Sequence, residues 1–333
     1  MQIKEAFLYS EKENIRSFLS RFELKYREDT ECSLYIEENT EIVATVSYTK
    51  NIIMQLAVSP RMQGENVASI LVSEVISRFR ANGIFGYRVF TKPEYLSLFE
   101  NMGMRVLIEE KEFVALEGGV SNINDTVNAL VTKVAMELGG IDSDTAAIVI
   151  NGNPFTEGHM ALVEYALARH SRLLLFVLEE NSSEFSFKER ISLAFLATRP
   201  YADRVSVLPS TDYIVSRATF PDYFLHTADD TTRAYAKYDA LIFEKYFMKP
   251  LGIVKRYFGT EESEYMKIYN STMLEVLKDK IEVVDRFTRG REVISAKSVR
   301  ALLNSGRHAE ALSYIPTPCR AVFSMLIGEK YAR

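Results

Sequence analysis

Apolar and polar positions along the chain fall into two regimes. Up to Glu117 the apolar runs are short and alternate with polar residues, so Cys32–Ile36 and Ile42–Tyr48 read as antiparallel strands with one wet face, and the run Ile52–Val58 reads as a further strand. Beyond Ile52–Val58 and a Gly-containing turn, Val67, Ile70, Leu71, Val75 and Ile76 recur at offsets of three and four and predict a helix. Gly86–Phe90 predicts another strand, followed by a helical stretch over Pro93–Met102. The second regime opens with Ala146–Ile150, an unbroken apolar run of the kind buried on both faces of a parallel sheet. A polar loop from Asn151 to Gly158, an amphipathic helix from His159 to about His170, and the run Leu173–Leu178 complete a strand–helix–strand unit. That order predicts a doubly wound parallel sheet with its ligand at the carboxyl ends of the strands.

Between the regimes, Glu117-Gly118-Gly119 marks a boundary, Asp125 is placed to cap a helix over 126–138, and Gly139-Gly140 ends it. The expected organisation is an α+β domain over 1–117, a helical connector over 118–144 and a parallel-sheet domain over 145–333.

Composition narrows the class. With 333 residues, 47% hydrophobic and 26% charged, the chain can build two cores and is not disordered or fibrous. A net charge of −5 argues against coating nucleic acid. No apolar run approaches the ~18 residues of a membrane helix, no basic-then-apolar signal opens the sequence, and two distant cysteines make neither a disulfide framework nor a metal site. The expectation is a cytoplasmic protein that contacts neither nucleic acid nor membrane and builds no metal site from its own side chains.

The strongest local signal is Asn151-Gly152-Asn153-Pro154-Phe155-Thr156-Glu157-Gly158-His159, a loop between a buried strand and a helix. Gly158 lets the backbone come close to a ligand, and the first N–H groups of the helix present positive potential to an anion. Thr156 and His159 are three apart and can turn their donors toward one phosphate group. The plainer alternative is an Asn-Pro turn with a capping histidine.

Position and residue type resemble the (His/Thr)-x-Gly-His signature of the nucleotidyltransferase superfamily, whose partner motif is Ile-Ser-x-x-x-x-Arg. That partner is matched by Ile294-Ser295-Ala296-Lys297-Ser298-Val299-Arg300. Ser295 is a plausible helix N-cap that leaves the amides after it for phosphate oxygens, and Arg300, one turn in, is placed to neutralise leaving pyrophosphate. The segments Gly152–His159, Thr211–Phe224, Arg256–Glu262 and Tyr269-Asn270 are similar to stretches of the citrate lyase ligase family, in the same order. Arg61-Met62-Gln63-Gly64-Glu65-Asn66, after a strand, resembles the pyrophosphate-cradling turn of GNAT acetyltransferases, and Phe90-Thr91-Lys92-Pro93-Glu94 is similar to a segment of the ligases' own GNAT-like domain. There are departures. Asn66 stands where a small residue is usual, Lys297 where Ser is usual, and Thr260 replaces the first Glu of a Gly-Glu-Glu run, leaving Glu261 or Glu262 to supply any acidic contact.

The resemblance implies a fold, a reaction and a set of residues. The fold is α/β, a GNAT-like α+β domain followed by a Rossmann-like, HUP-type nucleotidyltransferase domain. The reaction is activation of acetate by ATP and Mg2+ as acetyl-adenylate. The acetyl group then passes to the thiol of a dephospho-CoA-type prosthetic group on the citrate lyase acyl carrier subunit. Thr156, His159 and Arg300 would be catalytic. Asn153, Pro154, Phe155, Gly158, Lys188, Ser295, Lys297 and Ser298 would bind nucleotide, with Arg190 an alternative to Lys188. Arg61, Gln63 and Gly64 would hold a coenzyme-like group. Two other readings stay open: an adenylyltransferase acting on a phosphorylated mononucleotide, and a nucleotide sensor that turns nothing over.

Overall fold

The computed structural model describes residues 2–180, 183–216, 219–260, 263–289 and 292–331. The chain forms two compact units, Met1–Asn122 with Pro221–Ala234, and Ile123–Phe220 with Tyr235–Arg333.

The first unit is built on a seven-stranded sheet in the order β1-β2-β3-β4-β5-β7-β6: β1 Ile3–Glu5, β2 Cys32–Glu38, β3 Glu41–Thr49, β4 Ile52–Val58, β5 Gly86–Thr91, β6 Arg105–Glu109 and β7 Val114–Gly119. All neighbours are antiparallel except β4 and β5. Helix α2, Val67–Ala81, covers one face through Leu71, Val75 and Phe79, as its periodicity predicted. The expected wet face of β2 and β3 is instead buried. Helix α1, Tyr9–Ser20, lays Ile15, Phe18 and Leu19 against Tyr35 and Ala57 there. The polar residues that suggested solvent satisfy one another: Ser33 and Ser47 share a 2.9 Å hydroxyl bond, and Thr45 donates to the Leu34 carbonyl at 2.9 Å.

The β4–β5 ladder is short. It pairs only Ile52 with Arg88 and Ile53 with Val89, and Gln55 in β4 takes a left-handed φ of 56°. The late segment 221–225 is stitched to the strands around this break. Tyr223, buried, donates its hydroxyl to the Phe90 carbonyl at 2.6 Å, and its own carbonyl accepts from Lys25 N–H at 2.8 Å. Asp222 pairs with Arg27 at 2.9 Å.

The second unit holds a five-stranded, all-parallel sheet in the order β10-β9-β8-β11-β12: β8 Thr145–Ile150, β9 Arg172–Val177, β10 Val205–Pro209, β11 Ile253–Gly259 and β12 Ile281–Val284. Helix α4 runs from Ile123 to Leu138, three residues earlier than expected, so Asp125 lies in its first turn. Its apolar face begins at Ile123 and continues through Val127, Leu130 and Val134, which draws the start upstream. One face of the sheet packs Ile148, Leu173 and Leu175 with Val163 of α5 (Glu157–Leu167), Leu193 of α6 (Phe187–Thr198) and Phe323 of α11 (Arg320–Tyr331). On the other face Phe176 meets Phe243 and Phe247, which follow α7 (Ala228–Ile242). Helices on both faces of a parallel sheet are the doubly wound arrangement that the apolar runs predicted. Among the described residues no helix is long and apolar enough to cross a membrane.

Tyr223→Phe removes one buried hydrogen bond from the β5 edge. It is expected to lower the stability of the first unit by about 1 kcal/mol, read as a shift in its urea midpoint with m unchanged.

Candidate active site

Strands β8 and β11 are neighbours whose connections leave in opposite directions along the sheet, β8 toward β9 and β11 toward β12. The crevice at their carboxyl ends is where such sheets bind ligands. A cavity of about 940 Å³ lies there, lined by Ile150 and Asn153 from the β8 end, Phe258 and Thr260 from the β11 end, and the first turns of α5 and of α9, Ala296–Asn304.

Helix α5 starts at Glu157 with Thr156 as its N-cap, so His159 falls at the third helical position, inside the first turn. There it acts as the reciprocal cap. The Thr156 N–H donates to His159 Nδ1 at 3.0 Å, and Thr156 Oγ1 is 2.9 Å from the same nitrogen. A backbone N–H can only donate, so Nδ1 accepts and the ring proton sits on Nε2. Burial lowers the proton affinity of His159, and the positive charge of Arg286 lowers it further, to a pKa of about 4. The ring is therefore a neutral N–H donor at physiological pH. Thr156, 1% exposed, spends its hydroxyl on that ring, and buried Phe155 packs beside it with centroids 5.3 Å apart.

The second motif is held against the first. Ser295 caps α9 by accepting the Ser298 N–H at 3.0 Å, as its sequence position predicted. Arg300 donates to the Asn153 carbonyl and lies 3.7 Å from Glu184. The Asn153 side chain in turn accepts the Phe185 N–H at 3.0 Å. Gly158 has a second reason besides the one expected. A Cβ there would meet the Ile294 carbonyl at 2.6 Å, so its bareness admits the strand leading into α9.

The remaining predicted residues divide. Gly158, Lys297 and Ser295 line the cavity with Thr156, His159, Asn153 and Arg300. Pro154, Phe155 and Ser298 stand behind its wall, and the Ser298 hydroxyl is paired with Ser295 at 2.7 Å. Lys188 is exposed at the start of α6, away from the lining. Arg190 is fully buried and donates to the carbonyls of Asn151, Leu178, Glu180 and Phe185, so it braces the ends of β8 and β9 and touches no ligand space. Glu261 and Glu262 lie outside the described residues, as do Arg217 and Ala218. In the first unit Arg61, Gln63 and Gly64 are exposed on the turn before α2, with Gly64 at φ 92° and Arg61 3.7 Å from Glu41.

Sequence reading missed the far wall. Asp239 and Arg256, both buried, form a two-pronged ion pair at 2.9 and 3.2 Å, and the Tyr269 hydroxyl donates to the same carboxylate. Tyr235 stacks on Tyr269 at 5.3 Å. Burial and then the Asp239 carboxylate hold the Tyr269 phenol far above its ordinary pKa. Arg286 also lines the cavity and is missed, since it belongs to no motif.

Both units have counterparts among known proteins. Residues 3–103 match the model of the acetyltransferase (GNAT) family, and residues 145–322 match that of the citrate lyase ligase C-terminal domain. A GNAT-type unit joined to a parallel-sheet ligase domain defines the class. A [citrate [pro-3S]-lyase] ligase of Haemophilus influenzae is 30% identical over 315 residues, covering 91% of this chain and 92% of that protein. One from Klebsiella pneumoniae is 29% identical over 326 residues, covering 96% and 94%. A GNAT-family acetyltransferase structure from Staphylococcus aureus aligns at 14% identity and a TM-score of 0.30, covering 36% of this chain and all of that one. The chain belongs to the citrate lyase ligase family.

Two outcomes test this geometry. Gly158→Ala forces a methyl against the Ile294 carbonyl and is expected to cost about 1–3 kcal/mol of stability, read by urea unfolding. The neutral His159 is more favourable folded than unfolded, so its contribution is complete above the ordinary 6.5 and is lost as pH falls from 6.5 toward 4. Proton NMR of the folded protein should show the His159 ring neutral at pH 5.5; a midpoint near 6.5 would contradict the assigned bonding.

Proposed function

We propose that the second unit activates acetate with ATP as acetyl-adenylate, and that the chain then acetylates the prosthetic thiol of the citrate lyase acyl carrier subunit. The observation that carries the reading is the meeting of two helix N-termini with His159 and Arg300 at one cavity. Its size falls in the usual range of about 300–1,000 Å³ for small-molecule sites.

The division of labour follows from the bonding. In-line attack of a carboxylate on the α-phosphorus needs positioning and charge neutralisation rather than a protein nucleophile. His159, its Nδ1 locked by Thr156, keeps an Nε2–H donor for a phosphate oxygen and holds its proton throughout. Arg300, fixed by the Asn153 carbonyl, supplies a cation whose direction is set before substrate arrives. Ser295 opens the first turn of α9 toward phosphate oxygens, with Lys297 beside it. Thr156 is a positioning residue. The buried acids Glu180 and Asp239 are already engaged, by Asn151 and Ser183 and by Arg256 and Tyr269 respectively. No group of three or more metal-ligating side chains converges among the described residues. Magnesium enters this reading as a companion of the phosphates, whose charge it would neutralise while keeping waters of its own. No step here is assigned to it.

The first unit is the place to look for grip on the coenzyme-like arm, at the exposed turn of Arg61, Gln63 and Gly64. Both sequence relatives carry the ligase name over nearly their full length, which favours a carboxylate acceptor over a phosphorylated mononucleotide.

His159→Ala is expected to reduce acetyl-adenylate formation by about 10²–10³, the loss typical of one preorganised donor. Rapid-quench assay of the adenylate checks this, and a folded variant with wild-type rates would remove His159 from the chemistry.

A further inference from the structure

We propose that the wall of Val215, Tyr235 and Tyr269 is the acyl end of this cavity, and that the Tyr235 ring sets how long an acid the site admits. The proposal deepens the acetate reading given above and rests on it.

The sheet itself separates two ends of the cavity. In β11, Tyr257 points into the core that holds Val163 of α5 and Val299 of α9. Side chains alternate along a strand, so Arg256 and Phe258 face the other way, and the Arg256 guanidinium lies over the Phe243 ring at 4.8 Å. Asp239 of α7 and Tyr269 of α8, Glu264–Leu277, meet Arg256 on that side. His159, Lys297 and Arg300 therefore line the cavity from the face of α5 and α9, and Tyr235, Phe258 and Tyr269 line it from the opposite face.

The bonding decides what the second end can hold. Tyr235 donates its hydroxyl to the Val215 carbonyl at 3.3 Å, and Tyr269 donates its own to Asp239, whose two carboxylate oxygens also accept from Arg256. The Ser216 hydroxyl is paired with that of Thr219 at 3.3 Å, and Arg256 Nε, which has no partner, is sealed from solvent. These side chains keep their polar atoms for one another and present ring faces and methyl groups to the cavity. A purine set against them would leave ring nitrogens and its amino group unmatched, a cost that a short alkyl group does not incur.

Reaction geometry points to the same end. As a carboxylate oxygen bonds to the α-phosphorus, the bond to the bridging oxygen breaks and pyrophosphate leaves with the electron pair. Attacking and leaving oxygens lie roughly in line. With pyrophosphate at Arg300 and the first turn of α9, the acid comes from the side away from α9, its carboxylate toward phosphorus and its alkyl end toward the rings. Tyr235, buried and stacked on Tyr269 at 5.3 Å, is the surface on which that alkyl end stops.

The test uses the full-length chain and acid-dependent exchange of labelled pyrophosphate into ATP, with acetate, propionate and butyrate. Wild type should favour acetate over butyrate by about 10² in kcat/KM. Tyr235→Ala should raise the butyrate-to-acetate ratio by about tenfold or more, with KM for ATP within about twofold of wild type. Tyr235→Phe keeps the ring and should restore the wild-type ratio. Equal use of the two acids by wild type, or a wild-type ratio in folded Tyr235→Ala, would overturn the proposal. A raised KM for ATP with an unmoved acid ratio would overturn it too, by placing the base on this wall. Should Tyr235→Ala fail to fold, Val215→Ala decides through the propionate-to-acetate ratio, which should rise by about tenfold. Exchange with acetate and an unmoved ratio strikes the wall alone, whereas no exchange with any carboxylate in wild type strikes the functional reading and the acyl assignment with it.

Discussion

Two helix N-termini are forced together at the carboxyl edge of the second unit's sheet, and the site depends on that contact. The backbone of Gly158 in α5 lies against the Ile294 carbonyl just before α9, so close that an added methyl group would push one of them aside. Like ends of helix dipoles repel, and Arg300 and Lys297 add charge of the same sign. The arrangement survives because its members are bonded to backbone: Arg300 to the Asn153 carbonyl, Ser295 to the Ser298 N–H, and His159 to the Thr156 N–H. An anion bound among them relieves the repulsion, which is the physical sense in which the fold is prepared for an anionic ligand. Keeping His159 neutral limits the repulsion while preserving a donor.

The wall of the site is braced from deeper in the fold. Arg190 gathers four backbone carbonyls at the ends of β8 and β9 without reaching the cavity. The Asp239–Arg256 pair fixes the opposite wall, where an aromatic stack of Tyr235 and Tyr269 faces the same space. Such a buried pair contributes less to net stability than to a fixed geometry, because desolvation offsets much of its attraction. The first unit carries its own surprise. Residues 221–225 close the break between β4 and β5, so its fold is completed by chain that lies far along the sequence.

Much of this was legible in the residues. Continuous apolar runs located β4, β8 and β9, alternation located β2 and β3, the end of a polar loop located the start of α5 to within two residues, and the cap Ser295 located the start of α9. These signals are local, and local signals survive in sequence. What was lost depended on distant partners. The second face of β2 and β3 looked wet because Ser33, Thr45 and Ser47 are polar, yet they satisfy one another beneath α1. Gly158 was marked for its closeness to a ligand, and its packing against Ile294 from the other motif left no trace in the local sequence. Asp239, Tyr269 and Arg286 come to one cavity only through the order of the strands and carry no spacing that announces it. Arg190 shows the converse: a basic residue at a helix start suggested phosphate, and only burial reveals a brace.

The central claim is that this cavity transfers AMP to a carboxylate. Acetate-dependent exchange of labelled pyrophosphate into ATP measures it most directly, with a phosphorylated mononucleotide as the competing acceptor. The account predicts exchange with acetate and none with the mononucleotide. Exchange driven by the mononucleotide, or ATP binding with no exchange under either acceptor, would contradict it.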